Sequence, residues 1–246
     1  MPSGIKVELR QFLEELHRIS VIDIPRFYFT FPTFSCQLCG FCDASKRGYA
    51  AVVYLRIITA SNGVKVFLIG TKTKLAPIKK LSIPRLELCG AFLFARWMHR
   101  ILCVLSKRLS IDGVYGWSDS SVALSWIINT QLQYKVFVSN RVHQIQSLIP
   151  SCQWRHVNTY LNPADCASRG LSPVALINVS LYWQGPDFLS RPISDWSTNT
   201  MTLSLIEIPE VKLVYLSVQS STPIVEWISR FSSYDQMYVV TGFDDL

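Results

Sequence analysis

Acidic residues are scarce through the middle of this 246-residue chain. Between residues 24 and 186 only Asp43, Glu87, Asp112, Asp119 and Asp165 carry carboxylates, against 18 Lys and Arg, a net charge of +13 for that segment. The two ends together carry −6, which brings the whole chain to +7. Other features are missing too. The N-terminus, MPSGIKVELRQFLEELHRIS, lacks the apolar stretch of a secretory signal. No apolar run is expected to reach membrane-spanning length, although the mean hydropathy is +0.24. The seven cysteines are an odd number in a chain without an export signal, so they read as reduced thiols rather than a disulfide framework. Neither D-T-G nor D-S-G occurs, which excludes aspartic-protease chemistry. A polymerase Y-x-D-D motif is also absent, because Asp244-Asp245 have no aromatic two residues earlier.

What is present points to one core and a polyanion. Apolar residues make up 49% of the chain, enough for a sizeable domain. The basic middle suits nucleic acid, with a solvated basic surface as the plainer alternative. Residues 5–19 space Leu and Ile as an amphipathic helix, ended by Ile24-Pro25-Arg26. Three strands follow at 34–43, 49–57 and 64–72, joined by the turn at Ser45–Gly48 and the hairpin signal Asn62-Gly63. A long helix runs from about Pro84 to Lys107, with Ser82 as candidate cap and Pro84 in the first turn. Next come a strand at 112–118, helices at 120–128 and 135–148, a strand at 152–157, and a short helix begun by Asn162-Pro163 and ended by Gly170. Hairpins followed by β-α-β alternation predict an α/β fold, a mixed five-stranded sheet with helices on both faces. Beyond Gly170 the chain is rich in Ser, Pro and Trp and reads as a linker, with weak periodicity returning at 224–240.

Where carboxylates are so few, each one needs an explanation. Asp43 closes the first strand before a turn, a position that aspartate favours anyway. Glu87 lies on the apolar face of the long helix, with Leu86, Leu93, Phe94, Trp97, Met98, Ile101 and Val104 at 100° per residue. The helix dipole explains an acid in the first turn, but not its place on the face to be buried. Asp119 ends a strand where a helix starts; Ser120 and Ser121 can cap that helix in its stead. Asp165 follows Asn162-Pro163 at a position that helix capping alone would explain. Together the four lie at element ends that can converge on one sheet edge. Two divalent ions about 3.5–4 Å apart need several carboxylates around them, and hard oxygen ligands suit Mg²⁺ or Mn²⁺.

Two other groups invite readings of their own. Cys36, Cys39 and Cys42 form C-x₂-C-x₂-C, but they fall in a strand without a nearby histidine, so buried thiols are expected rather than zinc. Arg85, Arg96, Arg100 and Lys107 lie opposite the apolar face of the long helix. They are candidate nucleic-acid contacts or simply a solvated face. Trp117 and Trp126 read as core rather than as stacking platforms.

The motifs around the acids occur in a recognisable order: FCDAS at 41–45, IPRLEL at 83–88, WSDS at 117–120 and NPADCASRG at 162–170. With VFVSNRVHQIQ (136–146), WRHV (154–157) and LYWQGPDFL (181–189), they resemble the ribonuclease H domain of BEL/Pao-type LTR retrotransposon polyproteins, over roughly residues 34–190. The resemblance implies a ribonuclease H-like fold and a metal-dependent endonuclease that hydrolyses the RNA strand of RNA–DNA hybrids during reverse transcription. It implies that Asp43, Glu87, Asp119 and Asp165 are catalytic and hold two Mg²⁺ (or Mn²⁺). Asp43 would bridge the ions, Glu87 and Asp119 would serve the ion nearer the leaving group, and Asp165 the ion that activates water. His156, in the strand WRHV, is left outside this set. Residues 1–33 would be the end of a reverse transcriptase connection segment, 34–172 the ribonuclease H-like domain, and 173–246 a linker leading toward integrase. The chain would then be a fragment, a decayed copy or a separate reading frame. Its partners would be the hybrid and the reverse transcriptase and integrase portions of the same polyprotein, with no membrane. The expected location is a cytoplasmic retroelement particle or the nucleus, not the secreted compartment. A DDE-type integrase or transposase core shares this chemistry, but a Glu in the long helix after the third strand favours ribonuclease H. An inert nucleic-acid-binding remnant is the other alternative.

Overall fold

The computed structural model describes residues 3–24, 33–60, 63–129, 131–196 and 208–212. They belong to the first of two compact units, Met1–Lys212; the second, Leu213–Leu246, lies outside the described residues, as does the periodicity at 224–240. Helix α1 (Ser3–Leu16) leads into a 3-10 turn, and Pro25 and Arg26 beyond it lie outside the described residues. Strands β1 (Thr33–Ala44), β2 (Gly48–Thr59) and β3 (Val64–Leu75) follow, then α2 (Ile83–Leu105), β4 (Gly113–Ser118), α3 (Ser121–Ile128), α4 (Val136–Leu148) and β5 (Gln153–His156). The short helices α5 (Ala164–Arg169), α6 (Pro173–Ile177) and α7 (Ser180–Gln184) come last. The five strands form one mixed sheet in the order β3-β2-β1-β4-β5. β1–β2 and β2–β3 are antiparallel, while β1–β4 and β4–β5 are parallel. The β2–β3 hairpin is as expected, although Asn62 of its turn lies outside the described residues.

Strand alternation sorts the core onto two faces. On the first, Leu38, Cys42, Val53 and Leu55 meet Leu88, Phe94 and Met98 of α2, Trp126 of α3, and Val138 and Ile145 of α4. On the second, Phe41, Tyr54, Tyr115 and Trp117 meet Ala164 of α5, Tyr182 of α7, Leu189 and Trp196. Helices therefore cover both faces, as the sequence predicts. The alternation also disposes of zinc. Cys36 and Cys42 face one layer and Cys39 the other, and all three are free, buried thiols. Burial pushes the Cys39 thiol up to about 12.

Three sequence expectations need correction. α2 is long and apolar enough to cross a membrane, contrary to the expected absence of such a run. It is a core helix that packs along β1, β2 and α4. Its C-terminal residues are wetter than the helical wheel suggests, since Val104 is 61% exposed. The third correction concerns residues 173–196, expected to be a linker, which form a strap over the second face. Tyr182 and Leu189 are buried there, and Trp196 meets Trp117 at 5.3 Å and Tyr115 at 5.0 Å, both edge-on. Buried Arg56 latches the strap without any acid: it donates to the carbonyl oxygens of Leu189 (2.7 Å) and Arg191 (2.8 Å) and to Gln37 Oε1 (2.7 Å). Tyr54 adds a hydroxyl bond to the Tyr182 carbonyl at 2.7 Å.

One close approach fixes α2 over β1. A Cβ at Gly90 would lie 2.9 Å from the backbone oxygen of Asp43. Backbone cannot yield as a side chain does, so only glycine lets the helix sit this near. Gly90→Val is expected to destabilise the fold by about 1–3 kcal/mol through overpacking. Urea unfolding of the variant would check this, and an unchanged midpoint would contradict the packing.

Candidate active site

The sheet register assembles the first two acids. Cys42 pairs with Ser118 across the parallel β1–β4 ladder, so Asp43 and Asp119, each the next residue, emerge side by side. Asp119 is spared from capping, because the Ser120 hydroxyl accepts the Ala123 N–H at 3.2 Å. Glu87 comes from α2, held close by the Gly90 approach one turn on. One carboxylate oxygen from each of Asp43, Glu87 and Asp119 can be chosen so that all three lie within 4.8 Å of one another. Asp43 and Glu87 are 3% and 8% exposed, so two of these carboxylates are almost dry.

Burial and mutual repulsion govern their protonation. Glu87 is pushed up from 4.5 to about 9, first by desolvation and then by the charges of Asp43 and Asp119; a backbone N–H from Ala44 opposes the shift. Asp43 is pushed up from 3.8 to about 7 by desolvation, against the pull of a Ser168 hydrogen bond. Glu87 Oε2 is buried and has no hydrogen-bond partner among the described residues. Burying such an oxygen is unfavourable unless a proton or a cation sits on it. A set of hard oxygen donors with one orphaned atom fits a divalent cation such as Mg²⁺ or Mn²⁺.

Two polar residues that sequence reasoning passed over support the cluster. Asn162, 1% exposed, donates from Nδ2 to the Cys42 carbonyl (3.1 Å) and to Asp119 Oδ1 (3.3 Å), while its Oδ1 accepts the Ala164 N–H (3.1 Å). The sequence shows only a helix start at Asn162; its tertiary bonds bind β1, Asp119 and α5 together. Ser168, 3% exposed, donates to Asp43 Oδ2. His156 Nε2 lies 3.1 Å from the backbone oxygen of Asp119, at the end of β5. Asn162→Ala removes the amide that orients Asp119. It is expected to weaken Mg²⁺ or Mn²⁺ binding about 10–100-fold in a calorimetric titration, as for groups that orient metal ligands, with the melting curve checking that the fold persists. Unchanged affinity would show that Asp119 needs no such support.

Asp165 is not part of the three-carboxylate cluster. Its Oδ1 pairs with Arg169 Nε at 2.7 Å, one turn along α5. Its charge nevertheless raises both Asp43 and Glu87, so it lies within electrostatic reach. The four candidate cations do not make one free face. Arg85 is neutralised by Glu210, with Nη2 at 2.7 Å, and packs over Phe137 at 4.8 Å. Lys107 lies beyond the helix, which ends at Leu105, whereas Arg96 and Arg100 are exposed on α2.

Residues 1–120 match the family model described as Pao retrotransposon-like RNaseH-like domain, a span that contains all three clustered acids. No match was found among curated proteins. Among solved structures, RNase H1 from the archaeon Halobacterium salinarum is similar at 9% identity and TM-score 0.35, over 52% of this chain and 90% of that one. LC11-RNase H1, obtained from compost by a metagenomic approach and solved with an RNA/DNA hybrid, is similar at 11% identity and TM-score 0.39, over 57% and 99%. The prototype foamy virus protease-reverse transcriptase is similar at 8% identity and TM-score 0.24, over 73% of this chain and 22% of that one.

Proposed function

We propose, from the premise that residues 1–120 belong to the Pao retrotransposon-like RNaseH-like domain family, that this chain hydrolyses the RNA strand of RNA–DNA hybrids. The observation that carries the proposal is the buried, unpartnered Glu87 oxygen beside Asp43 and Asp119. Asp43, Glu87 and Asp119 would hold divalent metal, Mg²⁺ or Mn²⁺. When bound, such ions lower the pKa of an attacking water and stabilise the leaving oxygen. The chain's own part is positional. Ser168 and Asn162 fix the Asp43 and Asp119 carboxylates, and the packed α2 holds Glu87 opposite them. Asp165 would complete a two-ion site by exchanging its Arg169 partner for metal. The proposed setting is a retroelement particle, with reverse transcriptase and integrase portions of one polyprotein as partners.

The test is cleavage of a hybrid labelled on its RNA strand, with Mg²⁺ or Mn²⁺ and with chelator. Metal-dependent shortening of the RNA alone is expected. Cutting restricted to RNA-free duplex DNA would defeat the reading. A hybrid that is bound but left intact under every metal condition would indicate an inert binding module.

A further inference from the structure

A cavity of ≈ 400 Å³ lies where the turn between β1 and β2 meets the connection from β3 into α2. Pro77, Leu81, Ile83 and Leu86 give it an apolar lining, and Lys46 and Lys80 are its cations. No carboxylate lines it. At ~30 Å³ per water it has room for about a dozen water-sized groups, more than one large apolar side chain fills. Apolar surface continues outside it. Leu75 is 84% exposed, Ile78 is fully exposed and Ile83 is 42% exposed, all within nine residues. A single exposed leucine is ordinary, whereas several around an apolar cavity mark a surface that a partner covers.

The charge around this cavity has one sign. Between Asp43 and Glu87 the chain carries nine Lys and Arg and no acid. Lys46, Lys79 and Lys80 are exposed, and among the described residues none of them takes part in an ion pair. The start of α2 adds to them. Its N-cap, Ser82, lines the cavity and makes no side-chain capping bond, so the positive end of the helix lacks that compensation. The two walls are tied to each other, because the Ala76 N–H donates to the Arg47 carbonyl at 2.9 Å. A preformed apolar hole rimmed by cations fits an apolar side chain set between carboxylates. Nucleic acid fits it less well. A duplex stacks its bases inside and turns phosphate and sugar outward, with nothing apolar to fill such a hole.

We propose that this cavity is the docking site for an acidic peptide segment of a partner protein. One large apolar side chain of the segment enters over Pro77, Leu81 and Leu86, and the carboxylates beside it meet Lys46 and Lys80. The buried side chain supplies most of the affinity, and the charges select the partner. The site borders the catalytic candidates without sharing a residue with them: Lys46 lies three residues past Asp43, and Leu86 directly precedes Glu87. The inference needs neither metal nor hybrid, so it stands apart from the hydrolase reading.

The experiment pans a random peptide library displayed on phage against the full chain. The selected peptides are then measured by fluorescence anisotropy on the wild type and on Lys46→Glu, Lys80→Glu and Ile83→Ser, with melting curves for each. All three side chains are exposed, so the variants should keep the fold. Selected peptides should share a large apolar residue with Asp or Glu beside it. Each charge reversal should weaken them about threefold to tenfold, and more at low salt than at high. Ile83→Ser should weaken them about fivefold through lost apolar contact. Serine in place of the peptide's apolar residue should abolish binding although its acids remain. The inference is overturned if no peptide is selected, if the selected peptides lack acids, or if they bind all three variants as tightly as the wild type. Variants that lose affinity for a labelled RNA–DNA hybrid yet keep it for the peptides assign the surface to nucleic acid, which also overturns it.

Discussion

Glu87→Gln is expected to abolish cleavage and to stabilise the protein at the same time. Loss of a carboxylate that holds a catalytic cation removes several kcal/mol of transition-state stabilisation, on the order of a 10³-fold fall in turnover. The stability effect has the opposite sign. In the folded chain without metal, Glu87 keeps its proton up to about 9, whereas the unfolded chain releases it near 4.5. At pH 7 the wild type therefore bears the unfavourable work of keeping a buried carboxyl protonated, and Gln has none to bear. The variant should gain on the order of 2 kcal/mol in metal-free urea unfolding at that pH. Asp43→Asn should behave alike at pH 7, with a gain of similar size, since its folded carboxyl, raised from 3.8 to about 7, is still half-protonated there. Inactive variants that are also less stable than the wild type would make Glu87 a structural residue. Full activity in either variant would remove the acids from the chemistry.

Glu87 was legible in the sequence because two rules conflicted there. Helical periodicity put it on the face to be buried, and electrostatics forbade burying it alone. Element order was legible for the same kind of reason: apolar spacing changes from period 2 to period 3.6 where β3 gives way to α2, and Pro84 marks the start. The strap at 173–196 was not. Its helices have five residues each, too short to show a period, and its anchors Tyr182, Leu189 and Trp196 follow none. What buries them is an aromatic sheet face more than sixty residues earlier in the chain. Arg85 was misplaced for a similar reason, because its partner Glu210 is 125 residues away. Asn162 looked like a helix start and Ser168 drew no reading of its own, because no local pattern distinguishes a cap from an amide that also reaches Asp119, or a helical serine from one that reaches Asp43.

Asp165 is where motif and geometry part. Its place in NPADCASRG put it with the other acids, yet its carboxylate is bonded to Arg169, whose side chain is 63% exposed. An exposed pair one helical turn apart stabilises by only ~0.3–0.5 kcal/mol, so a cation competing for Asp165 meets little resistance. Asp43, Glu87 and Asp119 are a preassembled set, two of them buried and Asp119 half-buried; Asp165 is held by a weak and exchangeable bond. Activity should accordingly depend less steeply on Asp165 than on Glu87 or Asp43.

Metal and protons should compete for the same oxygens, with a clear pH signature. Between the ordinary carboxyl range and about 7 for Asp43, or about 9 for Glu87, the folded chain holds protons that the unfolded chain has lost. Both folded values are raised, so the stability linked to these groups is fully present below pH 4 and is lost as pH rises through 7 and then 9. Metal-free protein should become less stable from pH 5.5 to 8.5, by up to ~1.4 kcal/mol per pH unit for each proton still held. Mg²⁺ or Mn²⁺ must displace those protons, so its affinity should climb over the same interval, up to about tenfold per pH unit while one proton is released. Titration calorimetry in two buffers of different ionisation enthalpy counts the protons directly. Close to one or two should leave near pH 6.5, and fewer as Asp43 ionises on its own. In Glu87→Gln one of them is removed from the count, and the metal-free stability should lose most of its downward slope. Affinity that is flat in pH, or binding with no proton release, would mean that the cation does not sit on Asp43 and Glu87.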